Sequence, residues 1–458
     1  MVKLFMPESV AIVGASRKPG KIGYVILQNL LESGYKGRIY PVNPHAEEIL
    51  GVKCYPSLKE LPEAPDVVIV AVPADKTISV AEEAGEKGAK FLVVITSGFS
   101  EVGNVELEKK LVETARKYGM RILGPNIFGI AYAPANLNAT FGPPELLPGK
   151  IGFITQSGAL GIALMGWTVT MGIGLSTIVS IGNMSDLDAI EISEFLAEDP
   201  NTAVITIYLE GLKEGRGKEF LEKMSMITKK KPVVIIKAGR SRRGQRAVAS
   251  HTGSLAGADV VYDAAFRRAG VIRVDTIEEL FDVARALAYS PPPLNDKLLI
   301  ITNGGGAGVM ATDATEKYGV ELLEVPEDLK ERFRKHMPWF GSPHNPVDIT
   351  GQATDAEYSG SLMEALQDDR VGGVIILVCQ TAVLDFKKLA EAILKVVKDA
   401  KEKGFSKPVL VSMIGGKEAM DAMMMLEKNH IPTFSIPERA VYAYSQLVKY
   451  YFKIRKGR

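Results

Sequence analysis

The sequence predicts an α/β protein in which three domains each contain a doubly wound parallel sheet. Short apolar runs of strand length alternate with amphipathic helical stretches almost from end to end. This alternation is typical of parallel sheets covered by helices. The length of 458 residues is enough for two or three domains that each bury a full core.

The first domain is predicted over residues 1–125. Its strands are expected at Ser9–Val13, Arg38–Val42, Val67–Val72, Phe91–Thr96 and Arg121–Leu123. Helices are expected between them, for example over Gly23–Ser33 and Val105–Tyr118. A segment that contains several prolines and asparagines, 126–150, connects this domain to the next.

Two further domains are predicted behind it. The second, with its connecting segment, spans 126–290, and its strands are expected at Ile151–Thr155, Leu175–Ser180, Ala203–Tyr208 and Pro232–Lys237. Three consecutive prolines, Pro291–Pro293, mark a stiff junction. The third domain is predicted over 296–458, with strands at Lys297–Ile301, Val374–Val378, Pro408–Met413 and Thr433–Phe434.

The composition excludes several classes of partner and site. Charges nearly cancel at +1, which gives no reason to expect a nucleic acid or an anionic membrane as a partner. Cys54 and Cys379 make neither a disulfide nor a metal pattern, so we expect a reducing compartment. No apolar stretch approaches the length of a membrane span. We therefore expect a cytoplasmic, soluble protein with no metal site of its own.

A glycine-containing loop, Gly14–Gly23, joins the first predicted strand to a helix. Such a loop binds phosphate, because free N–H groups and the helix dipole both favour an anion. The loop is basic, and the second strand ends at Asn43 without the acidic residue that an NAD site uses. These features favour a coenzyme A-type nucleotide over NAD. A structural turn without a ligand is the alternative.

His251 lies in the segment 239–257, among small hydroxyl and glycine residues and behind a run of arginines. Arginines offer charge to a phosphate, and glycines let backbone N–H groups approach an anion. The segment is expected to be a flexible loop that presents an imidazole nucleophile to a phosphoryl group. The alternative is a surface loop with a solvated basic run.

Several strand ends of the second domain should meet at one edge of its sheet. They carry Gln156-Ser157-Gly158, Gly182-Asn183 and Glu210. Ser157 can cap a helix whose N–H groups receive a phosphoryl group. Glu210 could accept a hydrogen bond from one ring nitrogen of His251 and leave the other nitrogen free to attack phosphorus.

The order of these motifs resembles a known family. Gln-Ser-Gly-Ala-Leu at 156–160 is followed by Glu-Gly at 210–211, Ser-His-Thr-Gly-Ser-Leu-Ala-Gly at 250–257 and Thr-Asn-Gly-Gly-Gly-Ala-Gly-Val-Met-Ala-Thr-Asp at 302–313. This is similar to the α subunits of ADP-forming acetyl-CoA synthetases, with succinyl-CoA synthetase as a more distant relative. The resemblance implies a Rossmann-like CoA-binding domain followed by two flavodoxin-like domains.

The resemblance also implies a reaction and a set of site residues. Acyl-CoA, phosphate and ADP would give carboxylate, CoA and ATP through an acyl phosphate and a phosphohistidine at His251, which Glu210 orients or deprotonates. Phosphate-binding residues would be Gln156, Ser157, Gly158, Gly182, Asn183, Ser250, Thr252 and Gly253. CoA-binding residues would be Gly14, Ser16, Gly20, Lys21, Asn43, Pro44, Val72, Pro73, Ser97, Gly98 and Asn126.

No segment reads as an ATP-grasp nucleotide domain, which in this family lies on a β subunit or is fused at one end. The resemblance therefore implies a separate ATP-grasp β subunit in an α2β2 heterotetramer, with Mg²⁺ supplied together with ADP or ATP. Two alternatives stay open at this point. One is a non-catalytic CoA-binding or regulatory subunit, and the other is an NAD(P)-dependent oxidoreductase.

Overall fold

Apolar strand segments build three helix-covered sheets in this protein. The computed structural model describes the backbone of residues 1–252 and 258–455, and the side chains of 1–248 and 258–455. The chain divides into two units, one over Met1–Asp275 and a second that begins at Thr276. The α/β fold class is thus confirmed, while the domain limits at 125, 290 and 296 stay predictions.

The first sheet contains five parallel strands. Across the sheet they lie in the order Arg38–Val42, Ser9–Val13, Val67–Val70, Phe91–Val94 and Arg121–Leu123. The central strands are buried along their whole length, as expected for parallel strands that are covered on both faces. The covering helices are Ile22–Glu32, Thr77–Lys87 and Val105–Lys117.

The second sheet has seven strands and completes the first unit. In spatial order they are Ile272–Val274, Val233–Lys237, Val204–Leu209, Pro148–Thr155, Leu175–Ser180, Gly129–Tyr132 and Leu137–Thr140. The last two form an antiparallel hairpin on the sheet edge, inside the segment expected only to connect two domains. The helices of this part are Gly158–Thr170, Ala189–Glu198, Gly217–Lys230, Arg242–Thr252 and Asp259–Ala269.

The arginine-rich segment was expected to be a loop over 239–257, and this expectation was wrong for much of its length. Residues Arg242–Thr252 form a helix. Its arginines are exposed, whereas Val248 is buried. A Cβ placed on Gly239 would lie 2.8 Å from the Val248 side chain, so this valine packs against the turn that leads into the helix.

The second unit contains a third, mostly parallel sheet. Its main strands lie in the order Glu321–Leu322, Lys297–Thr302, Gly373–Cys379, Val409–Ile414 and Thr433–Phe434, and Val347–Asp348 also pairs with Lys297–Thr302. Its helices are Ile277–Tyr289, Gly305–Tyr318, Glu327–Arg334, Asp355–Gln367, Phe386–Glu402, Lys417–Lys428 and Pro437–Val448. Within the described ranges, every helix is too short or too polar to span a bilayer.

Candidate active site

The glycine turn of the first domain is built for a close approach of backbone to backbone. Gly14 has φ +93°, and a Cβ there would lie 2.4 Å from the carbonyl oxygen of Ala71. Only glycine fits such a position without strain. Gly20 also has a positive φ of +79°, and the exposed Lys21 immediately precedes the helix Ile22–Glu32. The turn therefore ends at a helix N-terminus beside a lysine, as an anion site requires.

Two polar side chains stabilise this turn. The Oγ atom of Ser16 accepts a hydrogen bond from the N–H of Lys18 at 3.1 Å. The side-chain amide of Asn43 donates to the carbonyl of Ala15 at 2.7 Å and so ties the end of the second strand to the turn. Pro44 follows as an exposed residue. The predicted CoA residues of the first two strand ends are thus neighbours.

The next strand ends are tied together in the same way. The hydroxyl of Thr96 donates to the carbonyl of Val72 at 2.7 Å, and the hydroxyl of Ser97 donates to Asn126 Oδ1 at 2.8 Å. Pro73 and Ser97 are exposed, and Asn126 has φ +60°. These contacts link the carboxyl ends of three neighbouring strands, where ligands of open α/β sheets bind.

Glu101 contacts two of the candidate site residues, Gly98 and Asn183, and the sequence did not reveal these contacts. Its carboxylate accepts hydrogen bonds from the N–H groups of Gly98, at 2.5 Å, and Phe99, and from the side-chain amide of Asn183 at 2.6 Å. Burial raises the pKa of Glu101, but these hydrogen bonds outweigh it and hold that pKa below its ordinary value. Asn183 donates to Glu108 as well, at 2.9 Å. Its amide therefore joins the two sheets of the unit through carboxylates.

In the second sheet, Gln156 and Glu210 end neighbouring strands and are joined directly. The side-chain oxygen of Gln156 accepts hydrogen bonds from the backbone N–H groups of Glu210, at 2.8 Å, and Gly211, at 3.2 Å. Gln156 and Glu210 are both buried. The strand edge therefore positions the Glu210 backbone rigidly, as expected for a carboxylate that must orient another group.

The helix Gly158–Thr170 points its N-terminus to the same edge. Ser157 is its N-cap residue in an extended conformation, and its side chain makes no capping hydrogen bond. Among the described residues, no atom lies within 4 Å of a Cβ placed on Gly158, so these residues leave space beside the first turn. The first N–H groups of a helix and its dipole favour an anion in such a space.

Gly182 has a structural requirement of its own. Its φ is +49°, and a Cβ there would lie 2.3 Å from the carbonyl oxygen of Pro125 and 2.5 Å from that of Asn126. The N–H of Asn183 donates to the Pro125 carbonyl at 3.0 Å. The predicted phosphate residues Gly182 and Asn183 thus lie against the segment that carries the CoA candidate Asn126.

His251 lies in the last turn of the helix Arg242–Thr252. The side chains of Ser250, His251 and Thr252, and the whole of Gly253, fall outside the described residues. The roles assigned to these four residues therefore stay predictions, as do the ligand contacts of the other predicted residues. The structure does bring the described CoA candidates to one sheet edge, and Gln156 to Glu210.

Comparison with protein-family models gives one match for each predicted domain. Residues 8–133 match a CoA binding domain, 148–287 a succinyl-CoA ligase like flavodoxin domain, and 298–452 a ligase-CoA domain. The order along the chain is the order that the motifs predicted.

Two of the similar proteins come from Pyrococcus furiosus. The chain is 53% identical to the α subunit of its ADP-forming acetate–CoA ligase I, over 98% of this chain and 97% of the relative. It is 42% identical to the α subunit of ligase II, over 97% of both. The ADP-forming acetate–CoA ligase I of Archaeoglobus fulgidus is 40% identical, and the match covers 98% of this chain but only 64% of the relative.

The fold is shared with a solved structure. Acetyl-coenzyme A synthetase 1 from Ca. Korarchaeum cryptofilum, in complex with phosphate and ADP, has a TM-score of 0.96 and 48% identity, covering 99% of this chain and 97% of that one. Since sequence similarity and fold agree over nearly the full length of these proteins, the chain belongs to the family of ADP-forming acetate–CoA ligase α subunits.

Proposed function

We propose that this chain is the α subunit of an ADP-forming acyl-CoA synthetase, in which acyl-CoA, phosphate and ADP give carboxylate, CoA and ATP. The observation that supports this most directly is the pair of hydrogen bonds that links two strand ends in the first unit. There Gln156 Oε1 accepts hydrogen bonds from the N–H groups of Glu210 and Gly211, and the helix Gly158–Thr170 begins two residues after Gln156. The helix that carries His251 follows the adjacent strand, Val233–Lys237.

The proposed chemistry proceeds in three transfers. Phosphate attacks the thioester carbonyl of acyl-CoA, and CoA leaves as its thiolate, which gives an acyl phosphate. A ring nitrogen of His251 then attacks phosphorus, the P–O bond breaks, and the carboxylate leaves. The phosphoryl group finally passes from nitrogen to a terminal oxygen of ADP. Each of these transfers has a lower barrier than a single direct transfer from acyl phosphate to ADP would have, which is the advantage of covalent catalysis.

Glu210 and the helix N-terminus have separate roles in this scheme. The Glu210 carboxylate would accept a hydrogen bond from the N–H of one ring nitrogen, so that the other nitrogen keeps its lone pair for phosphorus. The N–H groups at Ser157 and Gly158 would stabilise the charge on the transferring phosphoryl group, because they are oriented before the reaction begins. CoA would lie along the first sheet edge, from Gly14 to Asn126.

The nucleotide is assigned to a separate ATP-grasp β subunit in an α2β2 complex. The matches to two longer relatives cover 98% and 97% of this chain but only 64% and 62% of those relatives, which leaves about a third of their length for other domains. Among the described side chains, no group of three or more His, Cys, Asp or Glu could hold a metal ion. The family resemblance is our reason for assigning Mg²⁺ to the nucleotide on the partner.

The test is intact-mass analysis after incubation with acetyl phosphate and Mg²⁺. We expect an acid-labile gain of one phosphoryl group in the natural chain and none in His251→Ala. His344→Ala is the matched control, because His344 is exposed in the second unit and should not change the gain. Labelling of His251→Ala, or no labelling even with the partner subunit added, would contradict the proposal.

A further inference from the structure

Lys237 is a buried cation that the proposed reaction does not yet use. It is the last residue of the strand Val233–Lys237, and only 2% of it is exposed. Its ammonium donates to the carbonyl of Ala238 at 2.6 Å and lies 4.6 Å from the centre of the Tyr262 ring. Burying a charged amine is costly unless other groups compensate. An aliphatic residue at this strand end would avoid the free energy of desolvating a charge, so we expect the ammonium group to have a role.

The groups that face Lys237 come from three neighbouring elements. Strand pairing sets Lys237 opposite Leu209, so Glu210 follows directly on the adjacent strand. Burial lowers the pKa of Lys237 to about 8; Asp259 and Glu210 act against this shift, and Arg273 adds to it. Asp259 begins the helix after the segment that carries His251, and Arg273 lies on the edge strand.

Tyr262 connects this cation to the backbone of the candidate site. Its hydroxyl accepts a hydrogen bond from the N–H of Leu212 at 3.0 Å. Together with the two bonds to Gln156, the N–H groups of three consecutive residues, 210–212, are all held by side chains. Lys237 precedes the segment that carries His251 and Tyr262 follows it, so their contact closes the base of that segment against residues 210–212.

We propose that Lys237 is a positioning residue for phosphoryl transfer: its buried ammonium fixes Tyr262 on the 210–212 backbone and places a positive charge beside the Glu210 carboxylate. The inference rests on the proposed function, in which Glu210 acts on His251. A fixed cation attracts a neighbouring carboxylate and so restricts the orientation of that carboxylate.

The test compares Lys237→Met with Lys237→Arg in the full-length chain. The readout is the rate of acid-labile phosphorylation by acetyl phosphate between pH 6 and 9.5, with thermal unfolding alongside. We expect Lys237→Met to slow phosphorylation by about tenfold or more, a fraction of what a complete acid–base group contributes. In the natural chain the rate should fall as the pH rises through about 8, where Lys237 loses its proton. In Lys237→Arg this alkaline fall should disappear, because the guanidinium stays charged.

Lys231→Met is the matched control. Lys231 precedes the same strand at its opposite end, and its ammonium donates to the carbonyl of Leu196 at 2.8 Å and to that of Asp199. Burial lowers its pKa as well. This variant should lower the unfolding temperature and leave both the phosphorylation rate and its pH profile unchanged, which separates the loss of a half-buried lysine on this strand from the loss of Lys237.

Two results would overturn the inference. One is a Lys237→Met chain that is phosphorylated at the natural rate with the natural pH profile, whatever its stability. The other is a folded Lys237→Arg chain whose phosphorylation rate still falls fully at alkaline pH. This result would overturn the inference even if Lys237→Met does not fold. A natural chain that takes no phosphoryl group, with the partner subunit present, would instead contradict the proposed function.

Discussion

Gln156 bears on stability as well as on the site, because a single side-chain oxygen serves two buried N–H groups. Replacing it with alanine leaves the N–H groups of Glu210 and Gly211 without that acceptor. An unsatisfied buried donor costs about 1–3 kcal/mol, so we expect Gln156→Ala to lower the free energy of unfolding by about 2 kcal/mol or more. Urea unfolding followed by circular dichroism measures this loss.

Gln28→Ala is the control for this prediction. Its amide donates to Glu32 at 2.7 Å on an exposed helix surface, where substitutions usually change stability by less than about 0.5 kcal/mol. Equal losses in the two variants would show that the Gln156 contacts contribute no more than a surface pair.

The lowered pKa of Asp368 should make the stability of the second unit depend on pH. Hydrogen bonds from Arg370, at 2.6 and 2.8 Å, lower the pKa of Asp368 to about 2, burial acts against this shift, and Arg332 strengthens it. A carboxyl whose pKa is lowered by folding stabilises the protein above its ordinary pKa and loses this contribution as the pH falls through the folded value. The stabilisation should therefore be complete above about pH 4 and disappear toward pH 2.

We expect Asp368→Asn to destabilise the second unit at pH 6 by about 1 kcal/mol, a value reduced for solvent screening of the half-exposed Arg370. The difference from the natural chain should vanish near pH 2. Asp369→Asn, at the exposed neighbouring position, should show no such trend. A pH-independent loss in Asp368→Asn would mean that packing, rather than charge, explains the effect.

At the scale of the element, the turn after the first strand makes the sharpest prediction for CoA. A Cβ on Gly14 would meet the Ala71 carbonyl at 2.4 Å in a left-handed conformation. We expect Gly14→Ala to weaken CoA binding by about tenfold or more, because the strand end must move and the helix N-terminus moves with it. Calorimetric titration with CoA measures this. Gly217→Ala, at a helix start with open space around it, should leave the affinity unchanged.

Some helices and strands can be predicted from the local sequence, and others depend on their tertiary contacts. Strands such as Val67–Val70 are continuous aliphatic runs between turn residues, so they are visible without neighbours. The sequence did not predict the helix Arg242–Thr252 because its apolar face is narrow. Val248 is buried only through tertiary contact with the turn at Gly239, and the local sequence does not show this contact. The hairpin that begins at Gly129 was missed because an antiparallel edge pair depends on the sheet that it joins.

At the scale of the whole molecule, site residues that depend on contacts between distant segments were the hardest to predict. The meeting of the strand ends from Gly14 to Asn126 at one edge follows from the parallel strands, whereas their contacts with CoA stay predictions. Glu101 and Tyr262 carry no local signal, since their roles come from Asn183 and Leu212 across the fold. The same holds for Lys237, which reads as the end of an apolar strand until its neighbours are known.

The proposed division of the reaction between this chain and an ATP-grasp partner gives the last prediction. We expect CoA alone to raise the unfolding temperature of this chain, because a ligand at a hundred times its Kd stabilises the folded state by about 2.7 kcal/mol. ADP should raise it only when the ATP-grasp partner is present. With acetyl-CoA, phosphate and MgADP, the chain alone should form no ATP, and adding the partner should start ATP formation. A partner complex with His251→Ala should bind CoA and remain inactive. ATP formation by the isolated chain would place the nucleotide site here and overturn the proposed division.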